Sequence, residues 1–345
     1  MSEGLTQDSG LRTQDLEIDL VTGGTGFIGA HVVRALLEQG RRVRCLVRAT
    51  SSRTNLDGLD VEIATGDLTD ISSLREAMRG VKTLYHCAAD YRLWAPDPRE
   101  LFRSNVDGTR NVLDAADAAG VLRIVYTSSV AAIGLSEDRS PATEQTRLRS
   151  GDLVGAYKQS KYEAECVVRE LAYRGAPVVI VNPSTPVGER DVKPTPTGRI
   201  IVDFLNRKMP AYVETGMNFI DVRDVAAGHL LAAERGHPGE RYILGNTNMS
   251  LKDLLDALAN ITGIPSPRLK VPHWIPMAYA AADSAIAKVT HRAPGVPLDS
   301  VRMSRHTMYY DASKAVRELG LPQTPVEDAL ARAVAWFRDN GYVRN

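Results

Sequence analysis

Cysteine is scarce in this sequence, and a net charge is absent. Among its 345 residues are three cysteines, none of them in a C-x-x-C pair. So small a set, and one with an odd number of cysteines, excludes a disulfide framework and a cysteine-based zinc site. It also favours a reducing compartment. Lysine and arginine together number 42, as do aspartate and glutamate. A chain with no basic surplus lacks the electrostatic signature of a nucleic-acid-binding protein.

Long apolar runs are also absent. A membrane-spanning helix needs about 20 apolar residues, and the nearest candidate, Ile275 to Val289, is interrupted by Asp283 and Lys288. This segment is therefore predicted to be a buried or amphipathic helix. Residues 1–17 are polar, without the basic-then-apolar layout of a secretion signal. We expect them to form a flexible tail in front of a cytoplasmic domain.

What the sequence does contain is an alternation of short β-branched segments with helix-length segments. Such an order of elements is typical of an α/β fold with a doubly wound parallel sheet. Within the predicted strands, apolar residues do not alternate regularly with polar ones, which fits a sheet covered by helices on both faces. A first helix is predicted at about Gly26–Gln39 and another at Pro325–Asn340. The predicted strands are Ile18–Thr22, Arg42–Val47, Val61–Thr65, Thr83–His86, Ile124–Ser128 and Val178–Asn182.

A glycine-rich turn follows the first predicted strand and opens the first helix. Its glycines, Gly23, Gly26 and Gly29, have the spacing G-x-x-G-x-x-G. Such a turn lets the backbone approach a pyrophosphate, which the free N–H groups of the helix then bind. The predicted cofactor-binding residues of this segment are Gly23, Thr25, Gly26, Phe27, Ile28 and Gly29. The fold is thus predicted to be of the Rossmann type.

The end of the second strand bears on the choice of nucleotide. An acid there would bind a ribose 2′-hydroxyl, whereas arginine suits a 2′-phosphate. The strand ends at Arg48, Arg53 follows, and no acid comes before Asp57. The sequence therefore favours NADP(H) over NAD(H), and the alternative is a solvated arginine pair on a loop.

The domain boundaries follow from these segments. We predict an NAD(P)-binding Rossmann domain over residues 18–182. Prolines and glycines crowd the chain after that point, and residues 183–345 are predicted to form mainly a smaller, substrate-binding lobe. Part of this region, about 220–248, is expected to return to the Rossmann domain with a strand near Arg241–Leu244.

Tyr157 and Lys161 are spaced i, i+4 and share one helix face. An ammonium close to a phenol favours its ionised form, which makes tyrosine a usable acid and base near neutral pH. Thr127 and Ser129 lie where a parallel strand ends, which is where such sheets place ligands. A hydroxyl donor, a tyrosine and a lysine are therefore predicted to meet beside a nicotinamide. Alone, the tyrosine and lysine pair would equally fit a solvated helix face.

Seven segments carry a resemblance that covers roughly Ile18 to Trp336. They are TGGTGFIG at 22–29, GDLTD at 66–70, HCAAD at 86–90, NVDGTRNVL at 105–113, YTSSVAAIG at 126–134, YKQSK at 157–161 and NPSTPVG at 182–188. In order and spacing the chain resembles the extended short-chain dehydrogenase/reductases, also called the NAD-dependent epimerase/dehydratase family.

The resemblance implies roles for individual residues. It assigns the acid and base to Tyr157, the polarising hydroxyl to Ser129, the ribose contact to Lys161 and the support of the active-site helix to Asn105. Family members often pair through helices beside the active site, which implies a homodimer. Further cofactor contacts are implied for Asp67 and Leu68 at the adenine, Ala88 and Ala89 near the ribose, Thr127, and then Pro183, Thr185 and Val187 near the nicotinamide.

Within the family, the chain looks most similar to hopanoid-associated sugar epimerases, with dihydroflavonol reductases as more distant relatives. Nucleotide-sugar epimerases usually carry an arginine that grips the diphosphate where this chain has Thr215-Gly216-Met217-Asn218. Its loss removes a bidentate phosphate contact. Candidate substrate contacts are Tyr91, Trp94, Ser129 and Met217, the first two being equally compatible with loop packing. Four basic residues could bind an anion from the rim of the pocket, or could equally be solvated charges on loops. They are Arg92, Arg190, Lys193 and Arg199.

These observations predict an NADP-dependent oxidoreductase that moves a hydride to or from a carbonyl or carbinol carbon. The substrate would be sugar-like or polycyclic, with a link to hopanoid metabolism, and no metal is needed. The first alternative is a nucleotide-sugar epimerase or dehydratase that reduces its cofactor only transiently. The second is a dinucleotide sensor without catalysis.

Overall fold

The computed structural model describes residues 18–138, 140–290 and 292–343. The predicted tail of residues 1–17 lies outside them. In chain order the strands are β1 Ile18–Thr22, β2 Arg42–Val47, β3 Glu62–Thr65, β4 Val81–His86, β5 Arg123–Thr127, β6 Val178–Pro183, β7 Thr185–Val187, β8 Ala211–Tyr212, β9 Gly216–Asp221, β10 Arg241–Leu244, β11 Thr247–Ser250, β12 Leu269–Lys270 and β13 Thr307–Met308.

The α-helices between and after these strands number twelve in the described residues. They are α1 Phe27–Glu38, α2 Ile71–Ala77, α3 Arg99–Phe102, α4 Gly108–Ala118, α5 Gly155–Tyr173, α6 Pro196–Leu205, α7 Val222–Arg235, α8 Leu251–Thr262, α9 Trp274–Thr290, α10 Leu298–Met303, α11 Ser313–Leu319 and α12 Val326–Asp339. A π-helical turn, Arg103–Asp107, joins α3 to α4.

Seven strands form one parallel sheet in the order β3-β2-β1-β4-β5-β6-β10. This confirms the predicted Rossmann-type fold. The strand order reverses between β1 and β4, so a crevice opens beyond the carboxyl ends of these two strands. The glycine turn follows β1, and residues 88–90 follow β4. The fold therefore brings both segments to the crevice.

Helices cover both faces of this sheet. Leu20 and Val21, neighbours in β1, belong to different apolar clusters, because successive strand residues point to opposite faces. The Val21 cluster includes side chains from α1, α7 and α11, and the Leu20 cluster includes side chains from α2, α4 and α5. Burial on both faces explains why the strands read as continuous apolar runs.

The C-terminal half builds a second, smaller sheet and a third apolar cluster. β9 pairs with β7, β11 and β13, and α6, α8 and α12 pack around the cluster. The predicted helix at 325–340 is α12, whose Leu330, Ala333, Val334 and Phe337 are buried there. It docks within the chain. β10 lies beside β6 at the edge of the main sheet.

The helix predicted from Ile275 to Val289 is present as α9, but its polarity is the reverse of an ordinary amphipathic helix. Asp283 is buried, whereas Trp274 and Tyr279 are largely exposed. Of the two predicted possibilities, a buried or an amphipathic helix, the buried helix is wrong, and the amphipathic helix has its large apolar side chains on the exposed face. In the part of the chain that the structure describes, no helix is both long and apolar enough to span a bilayer.

Candidate active site

Crowding requires glycine at both ends of the turn. Gly23 has φ +72°, and a Cβ built on it would lie 2.7 Å from the backbone nitrogen of Ala88, beyond β4. A Cβ on Gly29 would lie 2.2 Å from the carbonyl oxygen of Gly23. The Gly26 N–H closes the turn by donating to that same oxygen at 2.9 Å. A side chain at either end of the turn would thus open it.

The turn leaves the start of α1 suited to an anion. Gly26 caps the helix without a side-chain hydrogen bond, and the first turn carries no acidic residue. The first N–H groups of a helix have no partner inside it, and together with the helix dipole they attract negative charge. These residues therefore fit the pyrophosphate of a dinucleotide.

Arg48 directly follows β2, Arg53 lies in the loop beyond it, and both are solvent-exposed. Asp67, beyond β3, accepts hydrogen bonds from the amide and hydroxyl of Thr69, which lower its pKa, and the nearby Arg48 guanidinium lowers it further. Asn111 donates to the Leu68 carbonyl at 3.0 Å. The segments predicted at the adenine and its ribose therefore lie side by side.

Asn55 is a residue that the sequence did not single out. It is buried, and its amide donates to the carbonyl oxygens of Thr25 and Arg190, both at 3.2 Å. Asn55 thereby ties the glycine turn to the loop after β7, where Arg190 has the left-handed φ of 68°. No motif indicated this, because the three segments are distant in sequence.

Ser129, Tyr157 and Lys161 converge at the carboxyl end of β5. Ser129 follows the strand and caps a short 3₁₀ turn by accepting the Ala131 N–H at 3.1 Å. Its hydroxyl also forms a hydrogen bond with that of Tyr157, the third residue of α5. Lys161, one helical turn on, is buried beneath them. The structure therefore brings the predicted hydroxyl and phenol together, with the predicted lysine one turn further along the same helix.

The ammonium of Lys161 is held by the strand. It donates to the Thr127 carbonyl at 2.9 Å and to the Tyr126 hydroxyl at 3.5 Å, and it lies 5.1 Å from the centre of the Tyr126 ring. Burial lowers the pKa of Lys161 to about 8, although nearby Glu165 opposes the change.

The expected lowering of the Tyr157 pKa is not found in the chain alone. Burial raises this pKa, and the hydrogen bond from Ser129 offsets only part of the rise. The Lys161 ammonium is directed at Thr127 and Tyr126. Tyr157 is therefore protonated at neutral pH, in the form that can donate a proton.

Tyr126 connects Lys161 to a chain of buried polar side chains. Its hydroxyl bonds to Thr109, Thr109 lies 3.1 Å from Nε2 of His86, and Nδ1 of His86 lies 2.7 Å from Thr22 Oγ1. Burial lowers the pKa of His86 to about 3, so the imidazole is neutral. His86 thus lies beneath the crevice rather than in it.

Asn105 lies in the π-helical turn, where an extra residue shifts the helical register. Its side chain accepts the Asp90 N–H at 2.7 Å and donates to the Asp90 carbonyl at 2.9 Å and to Ser160 at 3.0 Å. Asn105 therefore joins the segment after β4 to α5, beside Tyr157.

Glu165 is a second residue that sequence reasoning missed. It is buried and accepts hydrogen bonds from Ser128 at 2.6 Å, Asn182 at 2.7 Å and Arg241 at 3.0 Å. Asn182 also donates to the Ser129 carbonyl at 3.0 Å. A signal was present, since Glu165 continues the stripe of Tyr157 and Lys161 at i+8.

A family model described as the NAD dependent epimerase/dehydratase family matches residues 20–245. The chain belongs to this family. It is 55% identical over 328 residues to a "putative dihydroflavonol 4-reductase" of Synechocystis sp., which covers 94% of this chain and 95% of that protein. It is 39% identical over 326 residues to "sterol demethylase protein B" of Methylococcus capsulatus, with 94% and 99% covered.

A solved structure of similar fold is the dTDP-glucose 4,6-dehydratase DesIV from Streptomyces venezuelae with NAD and TYD bound. The identity is 26%, the TM-score is 0.75, and the match covers 95% of this chain and 99% of that one. This family includes oxidoreductases, epimerases and dehydratases, so membership defines a broad chemistry and leaves the substrate open.

In this epimerase/dehydratase family member, the predicted nicotinamide and substrate residues are distributed over four segments, 91–94, Ser129, 183–187 and Met217. Pro183 ends β6, while Thr185 and Val187 lie in β7, with Val187 buried in the third apolar cluster. The Tyr91 hydroxyl donates to the Lys193 carbonyl at 3.4 Å, which brings the two rim loops together. Trp94 is half-buried in the same loop as Tyr91.

Met217, a predicted substrate contact, and Arg92, a predicted rim charge, have partners within the chain. Met217 packs against the third apolar cluster. Arg92 forms ion pairs with Asp90 at 2.6 Å and Glu100 at 2.9 Å, so its charge is already compensated. The Asn218 amide donates to the Asn248 side chain at 2.8 Å and to two backbone carbonyls.

Proposed function

We propose that this protein is an NADP-dependent oxidoreductase that reduces a ketone, or oxidises the matching alcohol, on a polycyclic, lipid-like substrate. The observation that carries the proposal is the placement of Ser129, Tyr157 and Lys161 at the carboxyl end of β5, on the same edge of the main sheet as the glycine turn that follows β1.

The residues divide the work as follows. Tyr157, protonated at neutral pH, donates its proton to the substrate oxygen during reduction, and Ser129 holds that oxygen by a hydrogen bond. Lys161 supplies a donor for the nicotinamide ribose. When bound, the nicotinamide cofactor supplies or accepts the hydride. The N–H groups at the start of α1 hold its pyrophosphate.

The preference for NADP rests on Arg48. It is exposed at the end of β2, where a 2′-phosphate would lie. We expect Arg48→Ala to weaken NADPH binding roughly tenfold, as for loss of one charge-assisted contact, and NADH binding much less. Fluorescence titration with both cofactors measures this, with the exposed Arg79→Ala as control. Equal losses for NADPH and NADH would contradict the preference.

The substrate class is supported by two observations. A relative 39% identical over nearly its whole length is named for sterol demethylation, and sterols, like hopanoids, are polycyclic lipids. In addition, the segment 215–218 carries no guanidinium, and the Asn218 amide is already used by the small sheet. A diphosphate would find few donors there.

The direct test is turnover of a polycyclic ketone with NADPH, followed by the absorbance of the reduced cofactor. A reductase consumes one NADPH for each alcohol formed. Product without NADPH loss would instead establish an epimerase or dehydratase, the alternative that the fold of the dTDP-glucose dehydratase favours. NADPH binding without turnover of polycyclic ketones or nucleotide sugars would favour a non-catalytic sensor.

The division of labour between regions is part of this proposal. Residues 18–182 bind the cofactor, and 183–345 mainly form the substrate lobe, except for about 220–248, which includes β10 of the main sheet. We propose a cytoplasmic homodimer that pairs through helices flanking the active site, including α5. Sedimentation equilibrium tests the pairing, and a monomer would contradict it.

A further inference from the structure

Exposed apolar side chains are concentrated in one segment of the molecule. Ten large hydrophobic side chains are exposed among the described residues, and five of them lie between 269 and 286. The five, with their exposed fractions, are Leu269 62%, Trp274 66%, Ile275 41%, Tyr279 62% and Ile286 51%. So dense a group marks an interaction surface rather than scattered exposure.

The outer face of α9 is apolar from Trp274 to Ile286. Ile275, Tyr279 and Ile286 are spaced i, i+4, i+11 and form one stripe, which Ala282 completes. A parallel stripe of Trp274, Ala278, Ala281 and Ala285 is also exposed. The inner face consists of Ala280, Asp283 and Ala287. From 274 to 287, every exposed residue is apolar.

We propose that this face of α9, together with Leu269, docks the protein onto an anionic lipid bilayer. Helices that lie in a bilayer surface bury an apolar face to the depth of the headgroups, and Trp and Tyr are favoured at that depth. The two large aromatic side chains of the surface are of these two types. α9 lies on the membrane and does not cross it.

The charge of the segment complements an anionic surface. Between 264 and 309 the sequence contains six lysines and arginines, two aspartates and no glutamate, although the whole chain has no net charge. Both aspartates are already paired, Asp283 with Arg292 at 2.8 Å and Asp299 with Arg302 at 3.1 Å. Arg268 and Arg305 are exposed, while Lys270 pairs with the exposed Glu214.

The same surplus argues against a second copy as the occupant. In a two-fold dimer, identical patches face each other, so a basic segment would meet its own charge. Anionic headgroups instead attract each lysine or arginine near the surface. Charge therefore favours a bilayer over self-association.

The surface lies beside the mouth of the site. α10 packs against α9, and a Cβ built on Gly155 would lie 2.4 Å from the Asp299 carboxylate of α10. Gly155 opens α5, two residues before Tyr157. At the other end, Nε2 of His273 lies 3.0 Å from the Glu214 carbonyl, just before β9. A docked α9 would hold the crevice next to the bilayer, from which a lipid-like substrate could enter. This substrate delivery rests on the proposed function, whereas the docking itself does not.

Co-sedimentation of the full chain with vesicles tests the docking. We expect binding to phosphatidylcholine vesicles containing phosphatidylglycerol, and much weaker binding to pure phosphatidylcholine. Tyr279→Glu combined with Ile286→Glu should weaken binding at least tenfold. The matched control is Tyr173→Glu, since Tyr173 is 94% exposed on α5 and should not contribute. NADPH affinity should be the same in the wild-type protein, the double variant and the Tyr173→Glu control.

A spectroscopic readout locates the contact. Brominated lipid should quench the emission of Trp274 but not that of Trp94 or Trp336, so Trp274→Phe should abolish the quenching while vesicle binding largely persists. No binding to anionic vesicles, or equal binding by the α9 double variant, would overturn the proposal. So would a dimer that the double variant converts to monomer. Because vesicle binding needs no turnover, a failed docking and a failed reaction are distinguishable.

Discussion

The two longest helices in the described residues break the rule of apolar inside and polar outside in opposite directions. α5 buries Lys158, Lys161 and Glu165, whereas α9 exposes Trp274 and Tyr279. The buried charges of α5 have hydrogen-bond partners, as burial requires. The exposed apolar side chains of α9, in contrast, do not contribute a buried core to the fold. The difference teaches that burial on α5 is matched by partners within the chain, whereas the apolar face of α9 has its proposed partner outside it.

The largest effect should follow from Tyr157→Phe. The ring still fills its place, but the proton donor is gone, and loss of general acid catalysis costs about 10²–10⁴-fold in kcat. NADPH affinity measured by titration should stay within about twofold. Tyr173→Phe, at the exposed end of the same helix, should leave kcat unchanged. Unchanged turnover in Tyr157→Phe would remove the assignment.

Glu165→Gln should destabilise the fold. Arg241 would keep a largely buried guanidinium without its counter-charge, and breaking a buried pair costs about 3–5 kcal/mol; since Gln keeps part of the hydrogen bonding, we expect the lower end. Urea unfolding measures this. Glu170→Gln on the same helix, whose partner Arg174 is exposed, should cost under about 0.5 kcal/mol. Equal costs would show that burial on α5 is not what matters.

A smaller, pH-dependent effect should follow from Tyr126→Phe. The Lys161 pKa of about 8 predicts that ketone reduction declines as pH rises through that value, because the ammonium loses its proton. The Tyr126 oxygen accepts from the charged form. Its removal should therefore lower the Lys161 pKa and move the decline to lower pH by roughly half a unit.

The pH profile of kcat/KM checks the Tyr126 prediction. Tyr242→Phe is the control, since Tyr242 is buried in β10 and its hydroxyl contacts the His237 N–H. If both variants keep the wild-type profile, Tyr126 serves packing and does not position Lys161.

The smallest effect should come from α9. Tyr279→Ser removes an apolar side chain that is mostly in water already, so the free energy of unfolding should change by less than about 0.5 kcal/mol. Urea unfolding in the absence of lipid measures it. A loss above about 2 kcal/mol would mean that Tyr279 stabilises the fold, and the contrast with α5 would disappear.

Much of the fold was predictable because it depends on local pattern. The glycine spacing, the β-branched strands and the i, i+4 stripe of α5 are properties of neighbouring residues. The bond from Asn55 to the Arg190 carbonyl and that from Arg241 to Glu165 were not predictable, because each joins residues far apart in sequence. Nor does a pattern give the sign of a pKa shift, since the rise at Tyr157 depends on how deeply α5 is buried.

The amino-acid sequence by itself determined the dinucleotide turn, the Rossmann-type sheet and the catalytic candidates, because backbone crowding and helical spacing act over a few residues. The tertiary structure alone decided which face of α9 meets water. An apolar segment is buried in most proteins, and only the packing of Asp283 inward leaves Trp274 and Tyr279 outside. It also decided that Lys161 rests against Tyr126, because partners across a sheet are set by strand order, which local spacing does not encode.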